Sequence, residues 1–168
     1  MSGALIVTAE LAPPDFAWLD ALRQRHYPPE RNQVPAHLTM FHALPPSAEA
    51  EIRRELGRHA ATSPPRATLV GLMNLGTGVA FRIVSDDLDA IRAGIADHCH
   101  GLLGAQDDAG WRPHVTIQNK VTSSVARSLL VALEKDFRPR PLGITGLALH
   151  RYLGGPWEAL ARYPFRGN

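Results

Sequence analysis

The sequence predicts an α+β fold of two pseudo-twofold-related lobes, each a mainly antiparallel sheet with helices on its outer face, and a cleft between the lobes. Two observations support this prediction. The element order strand, helix, strand, helix, strand occurs twice along the 168 residues. A proline-led His-x-Thr motif occurs once in each copy, at the third element. A chain of this length forms one domain, and we expect residues 1–168 to be that domain.

The first repeat is expected over about residues 4–75. The run from Ala4 to Ala9 is apolar and partly β-branched, which is typical of a buried strand. Helices are predicted over residues 15–26 and 47–60, because apolar side chains recur there at helical spacing. The first His-x-Thr strand lies between these helices, and a strand over residues 66–75 closes the repeat.

The second repeat is expected over about residues 79–152, after a tight turn at residues 76–78. Its first strand covers residues 79–84, and Ser85 caps a helix with an apolar stripe formed by Leu88, Ile91, Ile95 and Leu102. The second His-x-Thr strand follows, and Thr122 caps a helix that carries Val125, Leu129, Leu133 and Phe137. Strands over residues 141–152 and 156–165 end the chain, and the second of them lies outside the repeat.

The His-x-Thr motifs are the candidate functional residues. They read His37-Leu38-Thr39 and His114-Val115-Thr116, 77 positions apart. The period of two along a strand predicts that His37, Thr39 and Phe41 share one face, and that His114, Thr116 and Gln118 do the same. A pseudo-twofold relation would bring these faces to opposite sides of one cleft.

In these motifs and in its element order the sequence resembles the 2H phosphoesterase superfamily, which includes the 2′-5′ RNA ligase-like proteins and the cyclic nucleotide phosphodiesterases. The resemblance implies that His37 and His114 are the catalytic acid and base, that Thr39 and Thr116 bind phosphate, and that no cofactor is needed. Two positions depart from the family pattern. His42 stands at a usually apolar or aromatic position, where we expect it on the buried side of its strand, and Asn119 stands where an arginine is common.

These residues predict a metal-independent phosphodiesterase that hydrolyses 2′,3′-cyclic phosphate or 2′-5′ phosphodiester bonds in RNA or nucleotides. Two imidazoles facing one phosphate can share proton transfer, since histidine titrates near neutral pH. Alternatives are a non-catalytic module that binds a nucleotide or an RNA end in the same cleft, and an RNA 2′-5′ ligase. A metal-dependent hydrolase is disfavoured, because no His or acidic pair stands at ligand spacing beside either strand.

Further binding residues are predicted around the motifs. Phe41 either stacks on a base or belongs to the core between the lobes, and Trp111 is a second candidate for stacking. Gln118 is expected on the cleft face, whereas Lys120 and Arg112 are the candidate cations for phosphate. The roles of these residues in substrate binding are left open.

Composition restricts the partners. The net charge of +2 and the pI of 9.0 do not predict a long nucleic-acid surface, but they allow a small anionic ligand. The single cysteine, Cys99, excludes an internal disulfide framework and fits a reducing compartment. We therefore expect a cytoplasmic monomer without a membrane segment, metal or cofactor, acting on a nucleotide or RNA-end substrate.

Overall fold

The computed structural model describes residues 3–167, which form two four-stranded sheets and five α-helices. This is the predicted α+β class with two lobes. The strands are β1 (Leu5–Leu11), β2 (Leu38–Leu44), β3 (Ala67–Asn74), β4 (Val79–Val84), β5 (His114–Gln118), β6 (Arg140–Leu142), β7 (Ile144–Tyr152) and β8 (Trp157–Pro164). The helices are α1 (Pro13–His26), α2 (Glu49–Ala60), α3 (Asp86–His98), α4 (Ala105–Asp108) and α5 (Ser123–Asp136).

Every neighbouring strand pair is antiparallel, and the strand orders are β2-β1-β7-β8 in the first sheet and β5-β4-β3-β6 in the second. Neither sheet is formed from one continuous half of the chain. The third strand of the first repeat, β3, pairs with β4 of the second repeat, and β7 of the second repeat pairs with β1 of the first. Each sheet therefore contains strands from both repeats, which the sequence does not predict.

One hydrophobic core lies between the sheets and the helices. It includes Leu5, Val7 and Ala9 of β1, Leu38 and Met40 of β2, Val115 and Ile117 of β5, and the inner faces of α2, α3 and α5. Helix α1 packs against β5, so a helix of the first repeat covers a strand of the second. Within the described residues, no helix has the length and apolar character that crossing a membrane requires.

Both predicted helix caps are present, but two apolar residues that were predicted on buried helix faces are exposed. Ser85 accepts a hydrogen bond from the Leu88 N–H at 3.0 Å, and Thr122 accepts one from the Val125 N–H at 3.3 Å, as predicted. Leu102 lies beyond the end of α3 and is 46% exposed, and Val125 is 50% exposed. Their predicted places on buried helix faces are wrong, because α3 ends at His98 and Val125 lies in the first turn of α5 on its solvent side.

The strand predicted over residues 141–152 is two strands in different sheets. Gly143 separates β6 from β7, where its N–H donates to Asp15 Oδ2 at 2.8 Å and its carbonyl accepts from the Ala12 N–H at 2.8 Å. A Cβ atom at Gly143 would lie 2.6 Å from the Ala12 Cβ, so glycine permits this close approach. The chain can therefore leave the second sheet and enter the first within one residue.

Both His-x-Thr strands carry a β-bulge directly after the threonine. In β2, Thr39 faces Thr8 while Phe41 faces the preceding residue, Val7, so Met40 is additional. In β5, Thr116 faces Ala80 while Gln118 faces Val79, so Ile117 is additional. An additional residue shifts the alternation of side chains by one position. The two faces of each strand are therefore exchanged after the threonine.

Candidate active site

Both His-x-Thr motifs line one cavity of about 510 Å³ between the two sheets. His37 directly precedes β2, and His114 is the first residue of β5. The threonines follow two positions later on the same face, and all four side chains line the cavity: His37, Thr39, His114 and Thr116. The sequence predicted this convergence of the two motifs on one cavity.

The two histidines are held in the same way. His37 Nδ1 lies 2.9 Å from the carbonyl oxygen of Pro35, and His114 Nδ1 lies 2.7 Å from that of Arg112. A carbonyl oxygen only accepts, so Nδ1 carries the proton in each ring. The neutral rings therefore have an unprotonated Nε2, and that atom is the one available for proton exchange with a ligand.

His37 differs from an ordinary histidine in its electrostatic surroundings. Burial lowers the pKa of His37 from 6.5 to about 4, although its hydrogen bond to Pro35 acts in the opposite direction. The positive charge of Arg23, and of His150 and His42 when they are protonated, lowers this pKa further. His37 is therefore neutral at pH 7, which is the state that a general base needs.

Each His-x-Thr strand is held by an arginine from a helix of the other repeat, a feature that the sequence analysis missed. Arg23 of α1 is buried, and it donates to the Thr116 carbonyl at 3.0 Å and to Asn32 Oδ1 at 2.8 Å. Arg92 of α3 donates to the Met40 carbonyl at 3.1 Å. These bonds join the helices to the strands that carry the His-x-Thr motifs, so they fix the two motifs relative to each other.

Some of the additional binding residues predicted from the sequence line the cavity, and others do not. Trp111 lines it and donates from Nε1 to the Thr39 carbonyl at 3.0 Å. Phe41 is fully buried in the core, and Gln118 is 3% exposed. Neither of these two side chains lines the cavity. The core position of Phe41 is one of its two predicted alternatives, whereas the predicted place of Gln118 on the cleft face is wrong. The bulges reverse the alternation of side chains just before both residues.

The two candidate cations also differ in position. Arg112 lines the cavity, whereas Lys120 is exposed in the turn after β5 and does not line it. Lys120 has a φ of 64°, and its N–H donates to Asn119 Oδ1 at 2.9 Å. The Asn119 side chain also accepts a hydrogen bond from the Thr77 hydroxyl at 2.7 Å. This end of β5 is therefore tied to the β3–β4 turn, away from the cavity.

His42 lies in the cavity and not on the buried side of its strand, which corrects the sequence-based prediction. The bulge at Met40 turns it toward the cleft. Its Nδ1 lies 3.1 Å from Oδ1 of Asp107, which is 2% exposed and also accepts from the main-chain N–H groups of His42 and Ala43. Burial alone would raise the pKa of Asp107, but these hydrogen bonds outweigh it and lower that pKa.

Trp157 forms the border between this cavity and a second one. Its ring centroid lies 4.6 Å from that of His37, and both residues line both cavities. The second cavity has a volume of about 520 Å³, and its walls include Leu11, Phe16 and Pro35. No group of three His, Cys, Asp or Glu side chains within residues 3–167 is arranged to hold a metal ion.

Comparisons with solved structures agree with this architecture. A crystal structure of TT0787 of Thermus thermophilus has a TM-score of 0.67 and 20% sequence identity, covering 98% of this chain and 99% of that chain. E. coli LigT complexed with 3′-AMP has a TM-score of 0.64 and 16% identity, with 98% and 99% coverage. At these identities the similarity establishes the fold alone.

Sequence comparison identifies the family. A search of curated protein sequences found no match. The family model described as the 2′-5′ RNA ligase superfamily matches residues 11–156, which include both His-x-Thr motifs and the strands from β2 to β7. The chain therefore belongs to the 2′-5′ RNA ligase superfamily of 2H phosphoesterases.

Proposed function

We propose that this protein is a metal-independent phosphodiesterase that hydrolyses 2′,3′-cyclic phosphate or 2′-5′ phosphodiester bonds in nucleotides or at RNA ends. The observation that carries the proposal is the matched pair of histidines in one cavity. His37 and His114 both use Nδ1 to bond a main-chain carbonyl two residues earlier, which leaves both Nε2 atoms for the ligand. Two such groups can act as base and acid in one displacement.

In this proposal, the cyclic phosphate lies between the two strands. Neutral His37 takes a proton from water while the water oxygen forms a bond to phosphorus. The bond from phosphorus to one ribose oxygen breaks, and protonated His114 gives its proton to that oxygen. The product is a ribose phosphomonoester, and the two histidines exchange protonation states, which solvent then restores.

The assignment of His37 as the base rests on its surroundings. Its pKa of about 4 keeps the ring neutral in the free enzyme at pH 7. Thr39 and Thr116 also line the cavity, and their hydroxyl groups are assigned to the non-bridging oxygens, where negative charge increases in the transition state. In this assignment the two threonine hydroxyls bind the phosphate, and only the two histidines transfer protons.

A nucleotide or RNA end is the ligand class that the cavity best fits. Trp111 and Trp157 line it, and stacking of an aromatic ring on a base contributes about 1–3 kcal/mol. E. coli LigT, which has the same fold, has been crystallised with 3′-AMP, NADP⁺ and ATP. The cytoplasmic location and monomeric state expected from the sequence belong to this proposal as predictions.

A second candidate is RNA 2′-5′ ligation, which the description of the family favours. The same two histidines would act in the same roles, with a 5′-hydroxyl in place of water as the nucleophile and the ribose 3′-oxygen as the leaving group. A site that binds without turnover is the third alternative. Turnover of a cyclic phosphate in water separates hydrolysis from binding without turnover.

The experiment uses adenosine 2′,3′-cyclic phosphate with the purified protein in the presence of a chelator. We expect turnover to persist, and kcat/KM to fall by about 10²–10⁴-fold in both His37→Ala and His114→Ala. His98→Gln is the matched control, because His98 lies on α3 and does not line the cavity. Loss of turnover with the chelator, or full activity of His37→Ala, would overturn the proposal.

A further inference from the structure

The twofold relation between the motifs ends three residues after each threonine. His42 is five positions after His37, and Asn119 is five positions after His114. His42 lines the cavity, whereas Asn119 bonds to Thr77 in the neighbouring turn. One side of the cleft thus has a polar, ionisable group that the other side lacks.

His42 is held more firmly than a packing residue requires. The carboxylate of Asp107 already accepts the main-chain N–H groups of His42 and Ala43 at 2.8 and 3.0 Å, and these bonds join α4 to β2. The imidazole adds a third bond from Nδ1. That bond fixes the ring orientation and leaves Nε2 as the ring atom available to a ligand.

The charges around the cavity favour an anion beside His42. The described residues that line it include His37, His42, Arg112 and His114, and none of the lining residues is acidic. Asp107 is buried behind His42, and a buried carboxylate is most stable beside a cationic partner. A doubly protonated His42 would therefore be paired on one side and would donate a charge-assisted hydrogen bond on the other.

The scissile phosphate does not account for these groups. The two motifs supply two proton-transfer groups and two hydroxyl donors to it, which leaves His42 and Arg112 without a role. Trp157 and His37 also line the second cavity, whose walls include Leu11 and Phe16. His42 and Arg112 line the first cavity and not the second.

We propose that His42, oriented by Asp107 and assisted by Arg112, binds a second phosphoryl group of the same ligand. The cleft then prefers nucleotides or oligonucleotides with two phosphates over nucleosides with one. This inference rests on the proposed function for the position of the first phosphate. His42, which lines the cavity and is bonded to Asp107, would therefore determine specificity for the second phosphate.

The test measures binding of reaction products, so it does not depend on turnover. Isothermal titration calorimetry compares adenosine 2′-monophosphate with adenosine 2′,5′-bisphosphate. We expect the bisphosphate to bind at least about 10-fold more tightly, as one charge-assisted hydrogen bond provides. His42→Gln keeps a hydrogen-bond donor for Asp107 but carries no charge. We expect this variant to bring the ratio of the two affinities most of the way down to one.

Two further variants keep the result decisive. Arg112→Gln changes an exposed side chain, so it tests the subsite even if His42→Gln fails to fold, and it should lower the ratio several-fold. His98→Gln is the matched control, because His98 is also paired with a carboxylate, Glu51 Oε2 at 2.7 Å, outside the cavity. Equal affinity for the two products, or an unchanged ratio in both His42→Gln and Arg112→Gln, would overturn the proposal.

A third ligand separates the two sources of a second phosphate. A diadenosine dinucleotide with a terminal 2′-phosphate carries an internal phosphodiester instead of a 5′-phosphate. Tighter binding of this compound than of the bisphosphate assigns the subsite to an RNA chain, and the reverse assigns it to a mononucleotide. If neither His37→Ala nor His114→Ala affects turnover but the binding ratio persists, the proposed catalysis fails while the phosphate subsite stands.

Discussion

The pH dependence of hydrolysis should have its acidic limb near pH 4. His37 must be neutral to accept a proton from water, and its pKa is lowered from 6.5 to about 4. This difference corresponds to about 3 kcal/mol in favour of the neutral ring. At pH 6 about 99% of the free enzyme would have a neutral His37, compared with roughly a quarter for an unshifted histidine.

The assay is kcat/KM for adenosine 2′,3′-cyclic phosphate between pH 3.5 and 8, because this parameter reports the free enzyme. On the acidic side of the profile, activity should decline only as His37 becomes protonated near pH 4. Circular dichroism at each pH separates this decline from acid unfolding. An acidic limb centred near pH 6.5 would show that His37 is not the base, or that burial does not lower its pKa.

Three other sets of substitutions follow from the contacts described above. Thr39→Val and Thr116→Val should each lower kcat/KM by about 10²-fold with little change in unfolding temperature, because only a hydroxyl donor to the phosphate is lost. Arg23→Met should reduce the free energy of unfolding in urea by about 1–3 kcal/mol, since the Thr116 carbonyl loses its buried partner, and should move the acidic limb to higher pH. Gly143→Ala should destabilise the protein by about 1–3 kcal/mol in the same assay, because its Cβ would approach Ala12 too closely; unchanged stability would contradict this reasoning.

Sequence reasoning identified the features that depend on local chemistry. Ser85 and Thr122 cap the helices that they precede, since a cap needs only a hydroxyl and a nearby N–H. The His-x-Thr strands were recognised because the motif and its alternation are local as well. Their convergence followed from the internal repeat, which carries long-range information within a single sequence.

The errors came from single additional residues in the strands. Strict alternation assigns Phe41 and Gln118 to the cleft and His42 to the core, and each assignment is reversed by a bulge. Bulges of this kind are set by pairing with a neighbouring strand, so no pattern within β2 or β5 reveals them. Alternation therefore predicts the face that a side chain occupies only as far as the first β-bulge of its strand.

Long-range side-chain partners were out of reach for a related reason. Asp107 lies 65 positions from His42, and Arg23 lies 93 positions from Thr116. In the sequence, Asp107 belongs to a polar run that suggests an exposed loop, and Arg23 is one of several charges on a helix. Only the packing of α4 on β2, and of α1 on β5, gives these side chains their partners.

The exchange of β3 and β7 between the sheets has a consequence for how the protein unfolds. Neither duplicated segment can complete a layer from its own strands, so the chain offers no route by which one half persists while the other melts. Partial denaturation would dismantle both flanks of the reaction centre together. Loss of turnover and loss of the folded state should therefore coincide in one cooperative transition.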